Sequence, residues 1–398
     1  MELIIYQMDH KTSKDPLQLP FELHDLIFHH LNASELNNAS LVSKQWYNFI
    51  GESEEFQNKV AIRFDEFSYG HKRRLTNIDV IKTSNRNYKI VHIKNDTAGK
   101  EKILFLWIQW KMITMEIHKF KSMTEYVEYL TQFADTVKEL EIVKVWIISK
   151  NDCTDKLEFP QLEKLSFKNV SVKAIEPFLK HQKKLKSLDL YLIKKSSNTR
   201  EKIIMDLLVL NKDLEQLSIG FNFHLFKDDI SHKITFNLKT IIIENCLEME
   251  MPNKILNNFQ TFLKVQGRTI NVIKLLNFND VGMIFEMWNN MTVLKEITIK
   301  YFSLKQKPNF DSNQDFFIKP NIMMKKLNIE MWSVPLRWLK KIIDACPNLE
   351  ELNISRLSTE LMQYVKEHST KLKKINCFCG ESEHFKFGDK FCCQSPVL

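Results

Sequence analysis

The chain has 398 residues, of which 44% are apolar, and its 57 basic residues outnumber 49 acidic ones to give a formal net charge of +8. This apolar content is enough for a sizeable core, and the longest apolar run, Ile103 to Ile108, is far too short to cross a membrane. The first residues lack the apolar core of a secretory signal. We therefore expect an intracellular protein, cytoplasmic or nuclear, whose seven cysteines are free thiols.

The first predicted elements lie at residues 17–63, after an N-terminal tail at 1–16. Pro20 suits the first turn of a helix, where its missing N–H leaves no hydrogen bond unmade. Ser34 is a plausible N-cap for a second helix. A module of this length buries little apolar surface, so part of that surface should serve a partner or the rest of the chain. Apolar residues follow Pro20 at intervals of four on one helix face: Leu23, Ile27 and Leu31.

The ordered string Leu-Pro-x-Glu-Leu, Ile-Phe, Leu, Leu, Leu-Val and Trp over these residues resembles an F-box. The resemblance implies three helices that dock on the Skp adaptor and, through it, on the cullin of a Skp-cullin-F-box ubiquitin ligase. Two positions depart from the family pattern: Ser43 stands in place of the usual Cys, and Lys44-Gln45 in place of the usual basic pair. Neither departure should abolish adaptor binding.

Nine positions match the motif, and the resemblance implies that each either contacts the adaptor or holds the helices that do. The residue types alone do not separate these two roles. The alternative is that all nine have a purely structural role, as the core of a small helical subdomain. Pro20 and Leu36 are the stronger candidates for direct contact. The nine positions are Leu19, Pro20, Leu23, Ile27, Phe28, Leu31, Leu36, Val42 and Trp46.

A second pattern begins at residue 88, after a linker or irregular first repeat at 64–87. Segments that fit Leu-x-x-Leu-x-Leu, with other apolar residues in place of some leucines, recur about every 23 to 32 residues. Side chains alternate along a strand, so each copy predicts a short strand with one apolar face. The clear copies are Leu162/Leu165/Phe167, Leu185/Leu188/Leu190, Leu214/Leu217/Ile219, Leu238/Ile241/Ile243, Leu294/Ile297/Ile299, Leu349/Leu352/Ile354 and Leu372/Ile375/Cys377, and weaker ones begin at Tyr88, Met112, Val137, Ile270 and Met324.

Amphipathic stretches between the copies predict helices, so the fold class is α/β, with parallel strands inside and helices outside. We expect residues 88–380 to form a leucine-rich-repeat horseshoe. The segment from Cys346 to Ile354 also resembles the phrase that opens repeats in the cysteine-containing leucine-rich family, which is often joined to F-boxes. The predicted helices cover 172–180, 200–210, 281–288, 335–345 and 358–366.

The last residues, 381–398, are predicted to be a C-terminal cap or tail. Four cysteines lie close to or inside this segment, and together with His384 they raise the possibility of a zinc site. The usual Cys-x-x-Cys pair is absent, and Cys377 already occupies a core position of the last repeat, so we predict no metal and no cofactor. The four cysteines are Cys377, Cys379, Cys392 and Cys393.

Strand residues that point away from the core form the predicted ligand surface, and their lysines and carboxylates are mixed in sign. The lysine excess lies instead on helix faces and connections, such as Lys183-Lys184 and Lys340-Lys341, where a solvated outer surface explains most of it. Each candidate for binding a protein substrate has the alternative of being an ordinary solvated strand or loop residue. These candidates are His92, His118, Lys168, Asp189, Tyr191, Glu244, Lys300, Phe310, Glu330 and Phe378.

Motifs for catalysis are missing from the sequence: the eight glycines form no phosphate-binding loop, and no nucleophile and base stand at a recognisable spacing. We therefore predict a non-enzymatic substrate receptor of a ubiquitin ligase. One alternative is a scaffold that binds Skp without turnover of a substrate. A less favoured alternative is a nucleic-acid or phosphoinositide binder, because the predicted ligand surface is not basic.

Overall fold

The computed structural model describes residues 21–57, 59, 61–64, 90–94, 111–116, 119–147, 157–178, 182–191, 198–220, 226, 232–244, 253–277, 281–300, 317–330, 334–355 and 358–377. The described residues up to Arg63, with Ile90 and Val91, belong to one compact unit, and Phe64 with those from His92 onward belongs to a second. None of the helices in these ranges is long and apolar enough to cross a membrane.

The first unit is helical, and its helix starts are set by side-chain caps. Asn32 accepts from the Glu35 N–H at 3.1 Å while Glu35 accepts from the Asn32 N–H at 2.8 Å, which is a reciprocal capping box. Asn32, and not the predicted Ser34, therefore caps the second helix. Ser43 caps the third by accepting from the Trp46 N–H at 3.1 Å. The helices are α1 (Phe21–His29), α2 (Ala33–Ala39), α3 (Lys44–Glu52) and the single turn α4 (Glu54–Gln57).

Phe28 is the centre of the core of this unit. It is fully buried, and its ring lies 5.0 Å from Trp46, 5.7 Å from Phe49 and 5.9 Å from Phe56, measured between ring centroids. Rings at these separations contribute favourably beyond the area they bury. One phenylalanine of α1 thus joins α3 and α4. Leu36, Ala39 and Ile50 complete the buried cluster.

The second unit is built on a parallel sheet. In the described ranges, eleven of its strands pair in parallel, each with the next in chain order. The mixed α/β class and the repeated parallel strands predicted from the sequence are confirmed. These strands are β3 (Met112–Glu116), β5 (Glu139–Val143), β7 (Lys164–Lys168), β8 (Ser187–Tyr191), β9 (Gln216–Gly220), β10 (Thr240–Glu244), β11 (Val272–Leu276), β12 (Glu296–Lys300), β13 (Lys326–Glu330), β14 (Glu351–Ile354) and β15 (Lys374–Cys377).

Four shorter or separate strands and six helices complete the described elements. The strands are β1 (Ala61–Phe64), β2 (Ile90–Lys94) and the parallel pair β4 (Lys119–Phe120) and β6 (Trp146–Ile147). The helices are α5 (Met123–Thr131), α6 (Asn198–Leu210), α7 (Asn253–Gln266), α8 (Val281–Asn290), α9 (Leu336–Asp344) and α10 (Thr359–His368).

Three positions of each repeat supply the core, and strand pairing aligns them into columns. Leu188, for example, lies opposite Leu165 on one side and Leu217 on the other, and all three are at most 1% exposed. Each such side chain contributes roughly 1.5–3 kcal/mol when fully buried. A strand of five residues thus gains its stability from its two neighbours, because it is too short to be stable by itself.

Two sequence predictions about this unit are wrong in detail. In the segment predicted to be a helix at 172–180, the described residues form two short 3-10 turns, Val172–Ala174 and Glu176–Phe178, because Pro177 lacks the N–H that a helix interior requires. The copy predicted to begin at Met112 is out of register by two residues. Ile113 and Met115, both 0% exposed, are the ones that pair with Leu140 and Ile142.

Buried amide side chains join one repeat to the next. Asn211, which is 0% exposed, accepts from the Leu185 N–H at 3.0 Å and donates to the Leu207 carbonyl at 2.8 Å. Gln266 likewise accepts from the Leu238 N–H at 3.0 Å and donates to the Phe236 carbonyl at 3.1 Å. These amides pair backbone groups that would otherwise be buried without a partner where each strand segment begins.

We predict that Asn211→Leu lowers the free energy of unfolding of the full chain by about 1–3 kcal/mol, because the buried Leu185 N–H loses its acceptor. Urea unfolding followed by circular dichroism measures the change. The matched control is Lys212→Ala at the next residue, which is exposed and should change stability by less than about 0.5 kcal/mol. Equal effects of the two substitutions would contradict the linking role of Asn211.

Candidate functional site

Several large apolar side chains are exposed on the helical unit. Leu23, Leu26 and Ile27 of α1 are 43%, 59% and 42% exposed, and they share one helix face because they are spaced three and four residues apart. Leu41 and Val42, in the turn between α2 and α3, are 73% and 67% exposed. We call these five residues the apolar set. Large apolar side chains exposed on so small a unit are typical of protein-binding surfaces.

The nine positions predicted from the F-box motif fall into separate groups. Leu23, Ile27 and Val42 are exposed. Phe28 and Leu36 are fully buried, while Leu31 and Trp46 are partly buried against the same core. The expectation that Leu36 contacts a partner directly is therefore corrected, since its side chain is core. Leu19 and Pro20 lie outside the described residues.

His24 is a residue of this unit that sequence reasoning missed. It is 1% exposed, and its Nε2 accepts a hydrogen bond from the Trp46 indole N–H at 3.1 Å. Its ring is also stacked on Phe28, with centroids 5.9 Å apart and planes 8° from parallel. His24 therefore orients Trp46 and ties α1 to α3. The available signal was its position one turn before Phe28, which puts both side chains on the same side of α1.

The face of the sheet that points away from the apolar core carries three rows of mostly polar side chains, and we call it the polar face. Its charges pair across neighbouring strands. Lys164 lies 2.7 Å from Glu139, Lys168 lies 2.5 Å from Glu141, and Lys300 lies 2.7 Å from Glu330. These pairs support the predicted mixture of charges on this surface. Lys300 and Glu330 are both predicted binding candidates, and they neutralise one another on β12 and β13.

Near the end of the polar face that begins at β3, the charged groups line a hollow of about 190 Å³. Its walls include Glu141, Lys168 and Asp189. Lys168 is held by Glu141, and Asp189 accepts from the Ser166 hydroxyl at 3.1 Å and from the Ser218 hydroxyl. The hollow combines concavity with several converging polar groups, as ligand-binding sites do.

The ionisation of these groups is shifted by their surroundings. Burial lowers the pKa of Lys168, but its hydrogen bond to Glu141 and the charges of Glu141, Asp189 and Glu244 outweigh burial, so this pKa lies above the usual value. Burial raises the pKa of Asp189, with only partial compensation from the Ser218 hydroxyl and Lys168. Burial and the charge of Asp189 also raise the pKa of Glu244. Lys168 is thus the positive charge near more than one carboxylate. The excess of negative charge in the cluster favours the approach of a further positive charge.

Tyr191 crosses a neighbouring strand to reach this cluster. Its hydroxyl donates to Glu244 on β10, although Tyr191 itself lies on β8. The strand between them has Gly220 at the same level, and a Cβ at that position would lie 2.2 Å from Cδ2 of the Tyr191 ring. Gly220 therefore leaves the space that the ring occupies. The structure thus brings together four predicted candidates: Lys168, Asp189, Tyr191 and Glu244.

Of the other candidates, Lys300 and Glu330 pair with each other on β12 and β13. His92 is part of β2, and its side chain is outside the described set. His118, Phe310 and Phe378 lie outside the described residues. Sequence reasoning missed the part played by Ser166, Ser218 and Gly220. A glycine at a strand position that otherwise carries a side chain was the signal that could have revealed the close approach of a ring.

Metal binding finds no support in the described part of the chain, where no three His, Cys, Asp or Glu side chains are grouped to hold an ion. Of the four C-terminal cysteines, Cys377 lies in β15 and the other three lie beyond the described residues. Cys346 is 2% exposed, and burial raises the pKa of its thiol. A buried protonated thiol packs as a small apolar group and reacts slowly.

We predict that Gly220→Ala lowers the free energy of unfolding by about 1–3 kcal/mol, because the added methyl group clashes with the Tyr191 ring. The cost should largely vanish in a Tyr191→Ala background, which removes the ring, and should persist with Tyr191→Phe, which keeps it. A double-mutant cycle measured by urea unfolding gives the coupling, expected to be at least about 1 kcal/mol. The same cost in all three backgrounds would show that the ring does not occupy this space.

Comparison with known proteins adds one finding. Residues 16–58 match the model of the F-box domain. No curated protein matches the chain. The match covers helices α1 to α4 and the apolar set, and it agrees with the motif recognised in the sequence. This chain therefore carries an F-box domain at residues 16–58.

Proposed function

We propose that this chain is the substrate-recognition subunit of a Skp-cullin-F-box ubiquitin ligase. The observation that carries the proposal is the F-box match at residues 16–58 on a unit where the side chains of the apolar set are exposed. The F-box docks on the Skp adaptor and so reaches the cullin, while the parallel sheet holds a protein client. The protein acts where such ligases act, in the cytoplasm, the nucleus or both.

In this proposal the apolar set is the surface that contacts the adaptor. Phe28 and Leu36 support it from behind, and His24 fixes the orientation of Trp46. Apolar side chains that are exposed in the free chain and covered in a complex contribute most of the binding energy of such interfaces. Pro20 and Leu19 remain proposed contacts on the strength of the motif.

Residues 88–380 form, in this proposal, a leucine-rich-repeat horseshoe. The apolar columns across eleven parallel strands support it, as does the spacing of these columns along the chain. The horseshoe is flanked by a linker or irregular first repeat at 64–87 and by a cap or tail at 381–398. The hollow around Lys168 and Asp189 is its client-binding site, with Tyr191 and Glu244 at its border.

The chain performs no bond chemistry of its own in this proposal. It holds a client lysine near the ubiquitin carrier, and the gain is one of effective concentration. A scaffold that binds Skp without client turnover would use the same F-box. The two functions differ in whether the protein bound by the sheet is degraded: a client of the ligase is degraded, whereas a protein held by the scaffold is not.

We predict that Leu41→Glu combined with Val42→Glu weakens binding of the purified adaptor by at least about 30-fold, since two apolar contacts are replaced by desolvated charges. Isothermal calorimetry measures the affinity, and thermal unfolding should stay within about 2 °C of wild type because both side chains are exposed. The matched control is Val209→Glu with Val265→Glu, which changes exposed valines of α6 and α7.

Leu36→Glu should abolish binding by unfolding the helical unit. An unaltered affinity in the Leu41/Val42 variant would reject the surface, and no binding by wild type would reject the F-box role.

We also predict that proteins captured by proximity labelling accumulate when the proteasome is blocked, and that Lys168→Ala with Asp189→Ala reduces their capture several-fold. The double change removes one charge of each sign from the hollow and leaves the net charge unchanged. Lys202→Ala with Asp206→Ala on α6 is the matched control, because both residues are exposed. Captured proteins that do not change in amount on proteasome inhibition would favour the scaffold.

A further inference from the structure

The residues directly before the strands of the parallel sheet form a row of their own. The backbone N–H of each one donates to the carbonyl of the preceding member of the row at 2.8–2.9 Å, so the row is continuous from β3 to β15. It contains seven lysines against three glutamates, and we call it the lysine rim. Its members in order are Lys111, Lys138, Glu163, Lys186, Glu215, Lys239, Asn271, Lys295, Lys325, Glu350 and Lys373.

The glutamates of the rim neutralise only part of its charge. Lys239 lies 2.6 Å from Glu215, and Lys325 and Lys373 share the single carboxylate of Glu350 at 2.9 and 2.7 Å. Lys138 and Lys295 form no ion pair with any residue that the structure describes. The lysine side chains lie at the surface, with Lys325 59% and Lys373 74% exposed. The rim therefore keeps a positive excess that solvent and ligands can reach.

The excess is not a general property of the sheet. The three rows of the polar face next to the rim have lysines and carboxylates in near balance, whereas the rim concentrates lysine along one line. From Lys239 through Asn271 and Lys295 to Lys325 the row has no carboxylate, a length of about 14 Å for three inter-strand steps. Arg268, also exposed, lies three residues before Asn271 in the chain. The sequence-based assignment of the excess to a solvated outer surface is therefore incomplete.

We propose that the lysine rim binds an acidic segment of the client polypeptide, centred on Lys239, Lys295 and Lys325. This inference rests on the proposed function and names the chemistry that the client presents. A polypeptide fits better than a nucleic acid, because a continuous phosphate chain would have to pass Glu215 and Glu350 at the ends of the lysine stretch. A short run of Asp or Glu side chains can lie along the stretch itself, where the row carries three lysines and no carboxylate.

The test uses the full chain and a fluorescein-labelled hexaglutamate peptide, with fluorescence anisotropy as the readout. The rim variant is Lys239→Gln, Lys295→Gln and Lys325→Gln. The matched control is Lys202→Gln, Lys254→Gln and Lys366→Gln, which removes the same charge from exposed helix positions. Labelled hexalysine and a single-stranded oligothymidine are the comparison probes. All titrations run at low salt, about 50 mM, because exposed charges are largely screened beyond about 10 Å at 0.1 M.

We expect the rim variant to bind hexaglutamate about tenfold more weakly than wild type, since each exposed ion pair contributes only a few-fold. The control variant should stay within about twofold, and hexalysine should not bind. Equal weakening in both variants, or no binding of hexaglutamate by wild type, would overturn the proposal. Rim-dependent binding of oligothymidine tighter than that of the peptide would overturn the polypeptide assignment.

Adaptor binding by the same variants separates this inference from the proposed function. The rim variant should bind the Skp adaptor as wild type does, which also shows that the helical unit is folded. If wild type does not bind the adaptor but still binds the peptide through the rim, the ligase role is rejected and the acidic-peptide site is supported.

Discussion

Strand-to-strand pairing of short apolar segments is the constraint on which the repeat unit depends. A five-residue strand such as Ser187–Tyr191 cannot bury its own leucines, so it is stable only when β7 and β9 cover it on both sides. The same pairing presents the alternate residues as rows on the polar face. A single register therefore sets both the packing on one side of the sheet and the arrangement of polar side chains on the other.

The sequence was sufficient to predict the strands, because apolar spacing is a local property and each copy carries its own signal. It failed for the copy predicted to begin at Met112, which was placed two residues too late because the buried pair is Ile113 and Met115. It also failed where one residue outweighed the pattern, as with Pro177 in the segment predicted to be helical. The cap at Asn32 was missed because Ser34 is also a favourable capping residue. In each case the sequence contained the residue that decided the structure, but its effect depended on contacts with neighbouring repeats or helices that the sequence does not show.

The F-box motif could be recognised from the order of its residues, but the division between core and surface could not. Leu36 and Val42 have the same chemistry in the motif, yet the first is buried and the second is 67% exposed. The site on the polar face was only partly predictable for a related reason. Lys168 and Glu141 are 27 residues apart in the chain, and their contact is created by strand register, which no local pattern encodes.

The buried amides have a consequence for how such a chain can change in length. Asn211 stands three residues before Leu214, and Gln266 stands four residues before Ile270. These two distances differ by one residue, whereas the spacing between successive copies ranges from about 23 to 32 residues. An insertion between amide and strand would pull the side chain away from the backbone groups it pairs. At these two repeats, new residues are therefore tolerated best in the segment that follows the strand, where an insertion leaves the amide and its backbone partners in place.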